Sequence, residues 1–273
     1  MSTMPIRADQ AAIVIPALNE SLRIREVVTQ ALAHCPNVIV VDDGSDDDTV
    51  ACIADLPATL IRHPQRLGKG AALRSGFAEA ARRGLLGVMT MDGDGQHSAA
   101  DFPRLLDAAN RHPGDVVIGA RLRKRASQPT IRRIGNDFGD WGIAWACGFR
   151  LLDSQSGQRF YPRAVFTLPD VSGEGFVFEA QLLISAARQA GARVIAVPIE
   201  TRYASSEPGC FRKSHFRLVR DLYRITTHVA GQILTRGGLA AEYRRTRAHP
   251  AVIDDPNGEF ASFDPSSQVQ DPP

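Results

Sequence analysis

Two carboxylates spaced two residues apart, Asp92 and Asp94, are the side chains in this sequence best suited to bind a metal ion. They directly follow an apolar run at residues 87–91. Carboxylates this close repel each other, so they are stable together mainly when a divalent cation lies between them. Oxygen ligands suit Mg²⁺ or Mn²⁺, which complete their shell with waters and substrate phosphates. The pattern predicts such a metal site, although a solvated Asp-Gly turn has the same sequence signature.

Polar residues follow two other apolar runs in the same way. Residues 11–15 and 38–41 are short runs without a polar residue, as expected of strands buried on both faces of a parallel sheet. Asn19 and Glu20 follow the first run and suit either a helix cap or contacts to a nucleotide. Asp42 follows the second and could accept hydrogen bonds from a base or ribose. In such sheets ligands gather at the carboxyl ends of the strands, so one cleft is expected.

The elements that must position these residues alternate along the chain. Helices are predicted over residues 20–33, 45–54, 70–83, 135–147, 178–189 and 215–234, and further strands over 60–61, 87–91, 115–120 and 194–198. This alternation indicates an α/β fold, a mostly parallel sheet flanked by helices. The amphipathic helix over 215–234 could lie on a bilayer or pack against the protein. We expect one domain over 8–238 and a disordered tail over 249–273.

Composition excludes several classes of protein. The 273 residues carry 32 basic and 30 acidic side chains, which disfavours a nucleic-acid partner. The four cysteines form no C-x-x-C pair, which disfavours structural zinc and a disulfide framework. The chain shows neither a P-loop spacing nor G-x-G-x-x-G after the first strand. With no signal-peptide pattern and no apolar run of about 18 residues, we expect a cytoplasmic protein, at most peripheral at the inner face of the cytoplasmic membrane.

Four motifs occur in the order seen in family 2 glycosyltransferases, which the sequence resembles over residues 11–234. They are IVIPALNE at 13–20, VVDDGS at 40–45, GKGAA at 68–72 and MDGDGQH at 91–97. Together with DSQSG at 153–157, the last motif is most similar to polyprenyl- and dolichyl-phosphate sugar transferases, the mannose and glucose synthases. The resemblance implies a GT-A (Rossmann-like) fold, a UDP- or GDP-linked sugar donor, a divalent metal, and inverting transfer to a lipid phosphate at the membrane surface.

The resemblance also implies roles for individual residues. Nucleotide binding is implied for Pro16, Asn19, Glu20, Asp42, Asp43, Lys69 and Asp92. Metal binding is implied for Asp92, Asp94 and Gln96. Contact with the acceptor or a phosphate is implied for Arg121, Arg132, Arg133, Asp153, Ser156 and Gly157. The expected catalytic residues are Asp94, Arg121 and Glu179, the last because many relatives have a carboxylate facing the acceptor there.

The acceptor is open to alternatives. A lipid phosphate is already an anion and needs cations, which the basic segment 121–133 supplies. A hydroxyl acceptor needs a base, for which Glu179 is the candidate. Gln158 stands where the family pattern has an aromatic residue, which keeps open transfer to a hydroxyl-bearing lipid or a polyketide-like acceptor. A nucleotide-sugar-binding protein without turnover is a further alternative. His97 could reach the metal or only hydrogen-bond within its turn.

Overall fold

The computed structural model describes residues 4–122, 130–169, 171–173, 175–199, 218–234 and 239–258. Within them one sheet carries helices on both faces, which confirms the predicted α/β class. Its strands are β1 (Ala11–Ala17), β2 (Val38–Asp42), β3 (Thr59–Arg62), β4 (Gly87–Thr90), β5 (Val116–Ala120), β6 (Arg159–Pro162), β7 (Val194–Pro198) and β8 (Val252–Ile253). The helices are α1 (Ile24–His34), α2 (Lys69–Arg82), α3 (Phe102–Arg111), α4 (Thr130–Cys147), α5 (Arg163–Phe166), α6 (Phe176–Gln189), α7 (Leu218–Leu234) and α8 (Leu239–Ala248).

The strand order is β3-β2-β1-β4-β6-β5-β7-β8, and the pairs are parallel except where β6 lies antiparallel between β4 and β5. From β1 the chain builds the sheet outward through β2 and β3, then returns to place β4 on the other side of β1. This reversal leaves a crevice beyond the carboxyl ends of β1 and β4, where ligands bind in open α/β sheets.

Alternate residues of β1 pack into two separate cores. Ala12 and Val14 face a core that they share with α2, α4, α6 and α7, whereas Ile13 and Ile15 face a core shared with α1 and α3. All four side chains are fully buried. A strand covered on both faces has no place for a polar residue, which explains its unbroken apolar run.

The C-terminal half of the amphipathic helix α7 packs against α4 and α6. Val229 is buried, and a Cβ atom at Gly142 of α4 would lie 3.4 Å from it. Arg188 of α6 donates a 2.9 Å hydrogen bond to the carbonyl of Gln232. Packing is therefore the alternative that the structure shows for this helix. Searched over its described residues, the structure has no helix both long and apolar enough to span a bilayer.

Several segments differ from the sequence-based expectation, and helices α3 and α8 were not predicted. Strand β6 was not predicted, because its sequence, RFYP, begins with an arginine and ends with a proline. Residues 45–54 form turns and a short 3-10 helix at Ala51–Ile53 instead of an α-helix. The tail expected from 249 instead begins with ordered residues: β8 pairs with β7, and Asp254 forms a 2.7 Å ion pair with Arg111 of α3. Residues 259–273 lie outside the described part of the chain.

The packing of α2 on β1 leads to a stability prediction. A Cβ atom at Gly76 would lie 2.4 Å from Cγ1 of Val14, so Gly76→Ala overpacks this contact and should lower the free energy of unfolding by about 1–3 kcal/mol. The matched control is Gly231→Ala in α7, where a Cβ atom meets nothing within 4 Å. Helix propensity should make that change stabilising by roughly 0.5–1 kcal/mol. Urea unfolding measures both changes, and equal effects at the two sites would contradict the packing argument.

Candidate active site

The loops after β1 and β2 are joined by hydrogen bonds. The backbone N–H of Asn19 donates to Oγ of Ser45 (2.8 Å), and Oδ1 of Asn19 accepts from the N–H of Asp46 (3.0 Å). The N–H of Glu20 donates to Oγ1 of Thr49 (2.7 Å). These contacts use the side chains that could have capped a helix after β2, which explains why residues 45–54 form turns. Asn19, predicted to bind the nucleotide, has its side-chain oxygen engaged by the second loop.

Asp42 ends β2 at the predicted edge of the sheet and is fully buried. Its carboxylate accepts from the N–H of Ser45 at 3.3 Å, and Nε of Arg62 lies 3.4 Å from Oδ2. The carboxylate assigned to the nucleotide therefore has partners from the protein and no exposed surface in this structure.

Asp43 holds the loop that leads into α2. Its carboxylate accepts hydrogen bonds from the N–H groups of Leu67 (2.9 Å) and Gly68 (2.7 Å) and pairs with Nδ1 of His63 (2.8 Å). Nε2 of His63 lies 2.9 Å from Oγ of Ser75, within α2. The structure thus places Asp43, which was predicted to bind nucleotide, where it fixes the backbone immediately before Lys69.

Pro16 and Glu20 lie beside the loop that carries the aspartate pair. A Cβ atom at Gly93 would be 3.4 Å from the carbonyl oxygen of Pro16 and 3.5 Å from Cγ of Glu20. The predicted meeting of the β1 and β4 loops at one edge of the sheet is therefore what the structure shows.

Lys69 connects the β4 loop with α6. Its Nζ atom lies 2.7 Å from Oδ1 of Asp92 and 3.1 Å from Oε2 of Glu179. Lys69 begins α2 and Glu179 lies in the first turn of α6, so the three residues come from separate elements. Burial alone would lower the pKa of Lys69, but the two carboxylates raise it above its usual value. The side chain is therefore an ammonium ion held between two carboxylates.

Asp92 is confined on its other side by the acceptor loop, the name used here for residues 153–157. A Cβ atom at Gly157 would lie 2.5 Å from Oδ2 of Asp92, so only glycine leaves room for this carboxylate. Nε2 of His97 lies 3.9 Å from the same oxygen. Burial would raise the pKa of Asp92, but Lys69 and His97 lower it overall. Asp92, which was predicted to bind the donor, therefore lies against Gly157, which was predicted to contact the acceptor.

Arg159 of β6 is a site residue that the sequence analysis missed. Its guanidinium is buried and donates to the carbonyls of Ser154 (2.6 Å) and Ser156 (2.7 Å) in the acceptor loop. It also donates to the carbonyl of Glu179 (3.1 Å) and lies 3.9 Å from the Oε1 atom of that residue. An arginine directly before the aromatic pair Phe160 and Tyr161 was the available signal, because a guanidinium buried with them requires a counter-ion and acceptors for its N–H groups.

Arg121 and Asp153, both assigned to the acceptor, form one unit. Asp153 accepts from both the backbone N–H and Nε of Arg121, each at 2.8 Å, and Nη2 of Arg121 completes a bidentate pair. Asp140 of α4 accepts from the N–H groups of Asp153 (2.9 Å) and Ser154 (2.7 Å). The acceptor loop is thereby fixed to the end of β5 and to α4.

Asp94 and Gln96 complete the predicted metal ligands. Oδ1 of Asp94 accepts from the N–H of Gln96 (3.0 Å), and the Gln96 side chain is exposed. Burial and the charge of Asp92 raise the pKa of Asp94. A divalent cation would relieve that repulsion, so these oxygen donors suit Mg²⁺ or Mn²⁺. No group of three His, Cys, Asp or Glu side chains among the described residues could hold an ion alone, so waters or phosphates must supply further ligands.

His97 and Gln158 lie behind the aspartate loop. His97 is buried, which lowers its pKa, and its Nδ1 atom has no hydrogen-bond partner in the described structure. Gln158 is fully buried, and its Nε2 atom donates to the carbonyl of Ser98 (2.7 Å). The residue that replaces the family's aromatic side chain therefore supports the β4 loop.

Part of the predicted basic cluster cannot be placed. Residues 123–129 lie outside the described structure, as do the side chains of Arg132 and Arg133. Of the basic segment 121–133, only Arg121 has a described side chain at the site.

Comparisons with known proteins identify proteins with similar sequences. The model of the family described as Glycosyl transferase family 2 matches residues 12–167. Undecaprenyl-phosphate mannosyltransferase of Micrococcus luteus is 31% identical over 86% of this chain and 96% of its own length. Polyprenol monophosphomannose synthase of Mycolicibacterium smegmatis is 29% identical over 78% of this chain and 84% of its own.

A solved structure shares the fold at low sequence identity. It is glucosyl-3-phosphoglycerate synthase from Mycobacterium tuberculosis in complex with Mn²⁺, UDP-glucose and phosphoglyceric acid. The two chains superpose with a TM-score of 0.58 at 22% identity, covering 83% of this chain and 79% of the other. This likeness confirms the predicted GT-A-type architecture.

The contacts of Asp43 predict a structural effect. Asp43→Asn replaces an acceptor of two backbone N–H groups and of His63 by a side chain that cannot accept all three. We expect the free energy of unfolding to fall by about 2–3 kcal/mol. Asp46→Asn, at an exposed position in the same aspartate-rich segment, should change it by less than about 0.5 kcal/mol. If urea unfolding shows no loss for Asp43→Asn, Asp43 does not hold the loop.

Proposed function

Because the chain belongs to glycosyltransferase family 2, we propose that it transfers a sugar from a nucleotide-diphosphate donor to a polyprenyl phosphate, inverting the anomeric centre. The family match spans the elements from β1 to α5, which include the aspartate pair and the acceptor loop. Two relatives that match more than three-quarters of the chain are named for mannose transfer to polyprenyl phosphates. Their names support this acceptor class, and a mannosyl donor would be the first to try.

The donor nucleotide would bind where the β1 and β2 loops meet, beside Pro16, Glu20 and Asp42. This edge lies next to Gly93, so a diphosphate bound there would reach Asp92 and Asp94. A structural neighbour that holds UDP-glucose with Mn²⁺ supports a nucleoside-diphosphate sugar as the donor class, within which we propose UDP or GDP as the nucleotide.

Asp92, Asp94 and Gln96 would hold Mg²⁺ or Mn²⁺ together with the donor. A bound divalent cation neutralises negative charge on the leaving diphosphate. Lys69 places a further positive charge at the same point, because its ammonium already contacts Asp92. Asp94 would contribute a second carboxylate, whose pKa is raised by burial and by the charge of Asp92, and a bound cation would relieve that repulsion.

The ion pairs of Glu179 are the observation that best supports a phosphate acceptor. Its carboxylate is buried and lies against Lys69 and Arg159. Lys69 lies against its Oε2 atom and Arg159 against its Oε1 atom, so both carboxylate oxygens already face cations of the protein and neither is offered to a hydroxyl acceptor. A phosphate acceptor is already ionised and needs no base. We therefore assign Glu179 as a counter-ion that positions Lys69 and Arg159, and we favour a lipid phosphate.

Arg121 would meet the acceptor phosphate. It directly follows β5, and Asp153 holds its guanidinium toward the acceptor loop, which also carries Ser156 and Gly157. Arginine suits this task because its planar group can bind a carboxylate and a phosphate together. The polyprenyl chain of such an acceptor would place the enzyme at the inner face of the cytoplasmic membrane.

The metal site leads to a binding prediction. Asp94→Asn should abolish Mn²⁺-dependent binding of UDP or GDP, lowering nucleotide affinity by at least roughly tenfold, because the cation loses an anionic ligand. Asp107→Asn, at an exposed position of α3, should bind as the wild type does. Isothermal titration with each nucleotide, with and without Mn²⁺, measures this. Unchanged metal-dependent affinity in Asp94→Asn would remove Asp94 from the site.

Transfer itself is tested with labelled GDP-mannose and UDP-glucose and Mn²⁺, each incubated separately with undecaprenyl phosphate and with the corresponding alcohol, undecaprenol. We expect label to move into the organic phase and to be released by mild acid, as a sugar linked through a phosphodiester should be. Label that resists mild acid would indicate a hydroxyl acceptor. Nucleotide binding without transfer to either kind of acceptor would favour a binding protein without turnover.

A further inference from the structure

We propose that Lys69 keeps the metal site closed to cations until a nucleoside diphosphate binds, so that the metal and the donor enter together. This inference rests on the proposed glycosyltransferase function and adds an order of binding to it. It starts from the position of the Lys69 ammonium, 2.7 Å from Asp92 and 3.1 Å from Glu179. The Lys69 ammonium therefore already occupies the Oδ1 atom of Asp92, which a metal ion would also use.

Lys69 engages one oxygen of Asp92 in this arrangement. Its ammonium contacts Oδ1, while Oδ2 lies near Gly157 with the ring of His97 at 3.9 Å. The acceptor loop restricts the movement of the carboxylate, so a metal ion can use Oδ1 only if the ammonium withdraws from it.

Asp94 by itself offers too few ligands to bind a divalent cation while Lys69 contacts Asp92. No three acidic, histidine or cysteine side chains in the described ranges form a metal-holding group, and Gln96 contributes only a neutral amide. A divalent cation approaching Asp94 would also be repelled by the ammonium of Lys69 nearby. The nucleotide-free protein should therefore bind Mn²⁺ weakly.

A diphosphate changes this balance because it brings anionic oxygens for both cations. Phosphate oxygens bind an ammonium ion through charge-assisted hydrogen bonds and also complete the shell of Mg²⁺ or Mn²⁺. Lys69 is the first residue of the 14-residue helix α2, and its flexible stem lets the ammonium move while the backbone stays in place. Glu179 keeps a carboxylate beside the ammonium throughout.

The test is a Mn²⁺ titration followed by electron paramagnetic resonance, on full-length wild type, Lys69→Met and Arg82→Met. Arg82→Met removes the same charge from the exposed end of α2, where Arg82 pairs with Glu79, and so controls for net charge. Without nucleotide, Lys69→Met should bind Mn²⁺ at least roughly tenfold more tightly than the wild type, because one repelling charge is gone. With Mn²⁺ present, the same variant should bind UDP or GDP at least roughly tenfold more weakly.

These opposite changes distinguish the proposal from a structural defect, which would weaken both affinities. Folded Lys69→Met that binds Mn²⁺ no more tightly than Arg82→Met, without nucleotide, would overturn the proposal. If Lys69→Met does not fold, as judged by circular dichroism, Lys69→Gln repeats the test with a neutral side chain that can still hydrogen-bond. Wild type that binds neither nucleotide with Mn²⁺ would instead overturn the proposed function, and with it this inference.

Discussion

An ammonium ion held between two carboxylates is the interaction on which the rest of the site depends. Lys69, Asp92 and Glu179 come from α2, the loop after β4 and α6, and their contacts hold these three elements at one edge of the sheet. Glu179 is buried and the side chains of Lys69 and Asp92 are half-buried, so removing one partner would leave a charge without full compensation. The geometry of the three elements is therefore strongly specified at this point, and only a stronger electrostatic partner can rearrange it.

The same interaction connects the proposed donor site with the proposed acceptor site. Asp92 contacts the acceptor loop at Gly157, and Glu179 lies beside Arg159, whose guanidinium holds the carbonyls of that loop. A change of charge near Asp92 would therefore change the electrostatic potential at the residues around the proposed acceptor. Because the sheet places the donor edge on β1 and β4 and the acceptor loop just before β6, the antiparallel strand β6 is what brings the two halves together.

The sequence predicts those parts of the site that depend on local pattern. The apolar runs of β1, β2 and β4 mark strands buried on both faces, and the polar residues that follow them fall at one edge of the sheet. It fails where distant contacts override local preference. Ser45 and Thr49 accept hydrogen bonds from the β1 loop, where the sequence predicted a helix. Arg159 becomes a strand residue because the carbonyls of Ser154 and of Glu179, the latter from α6, accept from its guanidinium.

Without donor, the Lys69 ammonium pairs with Asp92; with donor bound, we expect it to pair with the diphosphate. The decisive measurement is a crystal structure of the protein with Mn²⁺ and the nucleoside diphosphate that it binds. We expect the ammonium to have left Asp92 for a phosphate oxygen, with Asp92 and Asp94 facing the metal. A structure with nucleotide and Mn²⁺ bound and Lys69 still against Oδ1 of Asp92 would contradict it.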